Sequence, residues 1–190
     1  MFRVPAVGWM MRLALPGPLM RIVRWWSRFF PAIILFNVMI VVTHWPAVVD
    51  LALRSGLFHF TIHAALLLSA FVIWMPILSP LPEVPRLTAP MKMVFLFLQS
   101  VVPTVPASFL TFGSHPLYRR YEQLPKLWGI DALNDQLIAG LIMKIGAGLF
   151  IWAIIAVIFF RWAASEELRN RPDRALREMD RELIDMGLRK

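Results

Sequence analysis

The run from Leu57 to Leu78, LFHFTIHAALLLSAFVIWMPIL, contains no charged side chain. A helix of that length reaches roughly 33 Å, enough to cross a hydrocarbon core of about 30 Å. Such a stretch reads as a transmembrane helix, and the rest of the chain has to be compatible with it. The run also holds two histidines, His59 and His63, four residues apart. On a helix that spacing puts both imidazoles on one face, one turn apart, with about 6 Å between Cβ atoms. Polar groups inside a span are costly, so a pair of them marks a candidate functional site.

Composition agrees with a chain that crosses the membrane several times. Of 190 residues, 58% are apolar and only 17% are charged, which excludes an ordinary soluble domain with a single core. There is no cysteine, so disulfides and thiolate metal sites are excluded. The net charge of +8 would suggest nucleic acid in a soluble protein. Here the basic residues flank apolar runs, so topology and contact with the lipid bilayer account for it, and no nucleic-acid partner is expected. The N-terminus lacks a small-residue cleavage site and does not read as a signal peptide.

Taken in order, residues 1–28 form a basic, aromatic interfacial segment. Pro5, Arg12, Pro16, Gly17 and Pro18 interrupt what would otherwise be a short span, and Trp25–Trp26 with Arg21, Arg24 and Arg28 anchor it at a membrane surface. A four-span transmembrane domain occupies 29–162, with spans at about 29–45, 57–78, 91–112 and 137–160. A short connection over 47–56 joins the first two. The third carries Pro103 and Pro106 among Gln99, Ser100, Thr104 and Ser108. Prolines free backbone carbonyls and kink a helix, and nearby hydroxyls can satisfy those carbonyls. The fourth opens with a small-residue stripe, Ala139, Gly140, Gly146, Ala147 and Gly148, which favours close helix approach. Lys144 lies about two turns inside it and can snorkel toward the nearer surface. Residues 163–190 form a charged tail, expected helical after Pro172, with Leu176, Met179, Leu183 and Met186 on one stripe. The expected fold class is therefore an all-α integral membrane protein. It is a four-span helix bundle with an N-terminal interfacial segment and a C-terminal amphipathic cytoplasmic helix.

Lysines and arginines crowd the ends of the chain and the 79–90 turn, whereas Arg54, Arg119, Arg120 and Lys126 are all that flank the other side. The positive-inside rule then puts both termini in the cytoplasm of a protein integral to the plasma (inner) membrane. All four histidines fall on the outer side: His44 at the end of span one, His59 and His63 in the outer third of span two, and His115 just past span three. Met143 sits in the outer third of span four, and Asp135 precedes that span. Imidazole with thioether suits copper, Cu(I) in particular. Carboxylate with imidazole suits zinc equally. Each of these residues also has a plain reading, as an interfacial polar group or as packing. Haem is disfavoured, because two histidines on one helix turn cannot flank one porphyrin. No Gly-rich serine elbow, HExxH, P-loop or GxGxxG occurs, so an enzyme is not expected.

Several strings line up with one family. They are Thr43-His44-Trp45-Pro46, His59-x-x-x-His63, Phe71-Val-Ile-Trp74-Met-Pro76, Pro116-Leu-Tyr118-x-x-Tyr121 and Asp135-Gln136-Leu-Ile-Ala139-Gly140-Leu-Ile-Met143. In order and spacing the chain resembles the CtaG family of assembly factors for caa3-type cytochrome c oxidase, over roughly Leu13 to Trp162. The resemblance implies help in maturing the oxidase by supplying copper on the outer side, with oxidase subunits as partners. His44, His59, His63, Asp135 and Met143 are the residues that carry over, and His115 joins them as a candidate from its position. Family members usually carry further spans upstream, with another histidine pair, and tend to have an aromatic residue where this chain has Lys144. The chain is expected to be a shortened member, or one whose start is placed late. Two further readings stay open: a metal-free membrane scaffold for the oxidase, and a small channel or transporter subunit. A homo-oligomer is compatible with all three.

Overall fold

A computed structural model describes residues 17–79, 84, 86–126 and 129–186. The first sixteen residues of the expected interfacial segment, and residues 80–83 of the proline-rich turn, lie outside them. No strand occurs among the described residues.

The basic segment forms helix α1, Gly17–Trp26, with Trp25 and Trp26 edge to face at its end. The chain then turns through 83° into α2, Phe29–Thr43. Pro31 falls in the first turn of α2, where its missing N–H has no helical partner to lose. Helix α2 stops at Thr43 because Trp45 is extended, as a residue before proline tends to be. The expected short connection is itself helical: α3 spans Pro46–Arg54, with Pro46 in its first turn. Asp50 and Arg54 close an i,i+4 ion pair of 2.6 Å on its surface. Ser55 is again extended and its hydroxyl accepts from the Phe58 N–H, starting α4, Gly56–Leu78. The proline pattern at 45–46 and the serine cap at 55 together explain why this segment forms a helix of its own rather than a loop.

Pro76 lies inside α4, and its carbonyl accepts from the Leu87 N–H at 2.9 Å. Arg86 Nε donates to the Ser79 carbonyl at 2.7 Å. These two bonds fold the turn back under the helix. The third span breaks where its prolines predict, into α5, Ala89–Val101, and α6, Thr104–Phe112. Thr104 Oγ1 donates to the Ser100 carbonyl at 3.0 Å, Thr111 Oγ1 to Ala107 at 2.8 Å and Ser100 Oγ to Phe97 at 2.7 Å. The hydroxyls thus serve the kinked backbone of their own helix.

The fourth helix starts at α7, Ala132–Leu141, five residues earlier than its apolar run suggests. Asp131 is the reason: its carboxylate accepts from the Asn134 N–H at 2.8 Å as an N-cap. That backbone hydrogen bond holds the Asp131 carboxyl below the usual carboxylate range. Next come a π turn over Ile142–Gly146 and α8, Ala147–Asp185. Helix α8 runs through Pro172 without a break, so the tail continues the fourth helix instead of starting anew after the proline. Exposed pairs Glu166–Arg169 and Glu167–Arg174, each at 3.0 Å, lie on this extension.

Three of these helices are long and apolar enough to cross a membrane, or four if the bent pair α1–α2 counts as one. Helix α2 packs along α4, α5 along α8 and α6 along α7, while α2 also meets α5. The core sits at the end away from the histidines, around Ala32, Ile73, Ile77, Phe95 and Leu96, with Ile151, Ile154 and Ile155 of α8 laid against it. Asn37 Nδ2 donates to Gln99 Oε1 at 2.9 Å, a buried link between the first and third spans. None of the most apolar window of the fourth helix is buried. Residues such as Leu149, Phe150, Val157 and Phe160 are more than half exposed, a surface suited to a hydrocarbon solvent rather than water.

The small-residue stripe corrects the expectation in part. At Gly140 an added Cβ would stand 2.6 Å from Thr111 Oγ1 and 3.0 Å from the Thr111 nitrogen. Close approach therefore occurs there. At Gly146 the nearest atom is 3.9 Å away, and at Gly148 nothing lies within 4 Å. The π turn between Gly140 and Gly148 adds a residue to the ladder. Gly146 ends that turn, and Gly148 just beyond it lines an open groove beside α6.

Candidate functional site

The connectivity gathers the candidate ligands at one end of the bundle. His44 is the C-cap of α2, His59 and His63 lie in the first turns of α4, His115 comes just after α6, and Asp135 lies in the first turn of α7. The segment after α6 is drawn over this end. Tyr118 donates its hydroxyl to the His44 carbonyl at 3.0 Å, and burial, with Tyr121 beside it, pushes the phenol above its ordinary pKa. Arg120 lies 3.9 Å from Asp50 on α3.

His59 and His63 are brought together as their spacing requires. Their rings stack with centroids 4.6 Å apart and planes 25° apart. Both are exposed on the flank of α4, so their ring nitrogens are open to an incoming ion or partner. His44 is held differently. Its Nδ1 lies 2.8 Å from the Ile40 carbonyl. A carbonyl only accepts, so Nδ1 is the donor in that bond, and in the neutral ring the lone pair then sits on Nε2. That is the tautomer a metal-ligating histidine takes when its other nitrogen is anchored to the backbone.

The remaining candidates stand apart. His115 and Asp135 are exposed. Met143 is half-buried and lines an internal cavity of about 310 Å³ with Phe36, Ile40, Gln99 and Thr104. Ile40 is the residue whose carbonyl anchors His44. Among the described residues no group of three or more His, Asp or Glu lies close enough to hold one ion. The largest assembled donor set in the described chain is therefore the two-imidazole pair.

One residue has a role that its chemistry did not announce. Gln136, next to Asp135, is buried at 7% exposure. Its Nε2 donates to the Leu110 carbonyl at 3.1 Å, and its Oε1 accepts from the Leu117 N–H. It thereby pins the turn carrying His115 to the end of α6. Removing the amide would leave both backbone groups without their partner, a loss of about 1–3 kcal/mol. Its i,i+4 relation to Gly140, the other buried residue of α7, is the sequence signal that points to this face.

Compared with known proteins, residues 4–165 match the family model described as cytochrome c oxidase caa3 assembly factor (Caa3_CtaG). No curated protein and no solved structure gives a significant match.

Proposed function

The chain belongs to the cytochrome c oxidase caa3 assembly factor family, and from that premise we propose that it serves oxidase maturation by carrying copper, as cargo, at its histidine-bearing end. The observation that carries this reading is the exposed His59–His63 pair, two stacked imidazoles on one helix turn. Imidazole accepts copper, and a site with two nitrogen donors leaves coordination positions open. A client with a fuller ligand set takes the ion by ligand exchange, and no bond-breaking or redox step is required. His44, at the same end of the bundle, is a further imidazole, and Met143 is a thioether lining a cavity with Ile40.

The same reading sets α1–α2, α4, α5–α6 and α7–α8 across the plasma (inner) membrane. The excess of Lys and Arg at the other end supports an orientation with both termini in the cytoplasm and the histidines outside. Helix α2 alone has 15 residues and reaches about 22 Å, so α1 and α2 together count as that first crossing, broken by the 83° turn. A carrier that hands its cargo over needs no catalytic step. The pore reading loses support, because the span-three hydroxyls bond their own backbone.

Cells that make a caa3-type oxidase but lack this protein test the proposal. They are expected to hold little mature oxidase at trace copper and to recover part of it when copper is added. A metal-free scaffold would give the same loss with no recovery at any copper level, and a transporter subunit would leave the oxidase intact.

A further inference from the structure

Between α5–α6 and the start of α8 a groove of about 810 Å³ opens sideways on the apolar flank of the bundle. Along the fourth helix it is lined by Lys144, Gly148 and Trp152, at i, i+4 and i+8. On the opposite wall stand Ser108, Phe109 and Phe112. The two ends of the groove differ. At the end nearer the histidines, the Lys144 ammonium stands 5.0 Å above the Phe112 ring, level with the last residue of α6. It has no carboxylate partner among the described residues. At the far end, Phe97 and Trp152 meet edge to face with centroids 6.0 Å apart and form a floor. The π turn over Ile142–Gly146 carries the lysine, and such turns recur at functional sites.

We propose that this groove binds one anionic phospholipid of the leaflet facing the histidine end, its phosphate on Lys144 and an acyl chain running down to the Phe97–Trp152 floor. Charge complementarity supplies the first argument: a cation at the head of an apolar groove, snorkelling toward the nearer surface, selects an anion. Length supplies the second. Lys144 to Trp152 is about 12 Å along the helix, close to one leaflet of a core about 30 Å thick. Gly148, with nothing within 4 Å of an added Cβ, leaves the middle of the groove open for the chain. The proposal rests on the membrane-spanning reading and is independent of copper.

Native mass spectrometry of the full-length protein tests it, after exposure to equal amounts of phosphatidylglycerol and phosphatidylcholine in detergent. The expected result is preferential retention of phosphatidylglycerol, undisturbed by inorganic phosphate. Lys144→Gln is expected to weaken that preference about fivefold, the effect of losing one lysine contact near a charged headgroup. Arg161→Gln is expected to leave it unchanged. Gly148→Leu fills the groove and is expected to lower retention of both lipids. Equal retention of the two lipids by the unaltered protein would overturn the proposal, as would a preference unmoved by Lys144→Gln. So would a photoreactive group at position 148 that crosslinks to an oxidase helix and never to lipid. Failure of the protein to partition with membranes at all would instead overturn the spanning reading beneath it.

Discussion

Replacing His59 and His63 together by alanine is expected to abolish oxidase maturation at trace copper while the protein still accumulates in the membrane. Both side chains are exposed on the flank of α4, and among the described residues their ring contact is with each other. Neither imidazole props up the core, which lies at the other end around Phe95 and Leu96. The double variant therefore folds, and what it loses is the donor pair. Each single variant keeps one imidazole and is expected to retain a fraction of the function that rises with added copper. The readout is assembled oxidase, by haem spectrum and activity, set against the amount of the variant in the membrane. Variants that mature the oxidase normally would remove the histidine pair from the account.

The largest structural effect is expected at Gly140. Its face meets α6 so closely that a valine must push against the Thr111 backbone nitrogen, 3.0 Å from the first added carbon. A backbone atom cannot rotate away, so the two helices separate. Overpacking of this kind typically costs about 1–3 kcal/mol. In a chain of this size that lowers the thermal midpoint in detergent by roughly 2–12 °C. Gly140→Ala is expected to be milder, and adding Thr111→Ala recovers part of its loss by removing the hydroxyl at 2.6 Å. A Gly140→Val protein as stable as the original would show that α6 and α7 do not pack as described. Gly148→Leu, by contrast, enters open space and is expected to leave the midpoint unchanged.

The sequence carried the helical class, the long spans and the histidine end because these rest on local chemistry. An uncharged run of this length makes a helix apolar on nearly every side, and His59 and His63 are set side by side by helix geometry alone. The break at Pro103 and its repair by Thr104 are local in the same way. Local rules also explain two elements that the apolar pattern does not reveal: the Pro46 start and Ser55 stop of α3, and the Asp131 cap that begins α7 before the apolar run. The other features depend on distant partners. Gln136 and Asp135 are neighbours in sequence, but only the fold shows that the amide turns inward to Leu110 and Leu117 while the carboxylate stays exposed. The π turn at Lys144 has no composition of its own. It separates Gly140, which touches α6, from Gly146 and Gly148, which do not. Whether His44, His115, Asp135 and Met143 join the pair is a question of packing between spans. Among the described residues His44, His115 and Asp135 join no group of three or more His, Asp or Glu that could hold one ion.

The central claim is that the two histidines on α4 hold copper. Its most direct test is a titration of the detergent-purified protein with Cu(I) under reducing conditions, against a competing chelator, beside the His59→Ala/His63→Ala variant. The account predicts near-stoichiometric copper on the protein and none above background on the variant. Copper absent from both, or bound equally by both, would contradict it.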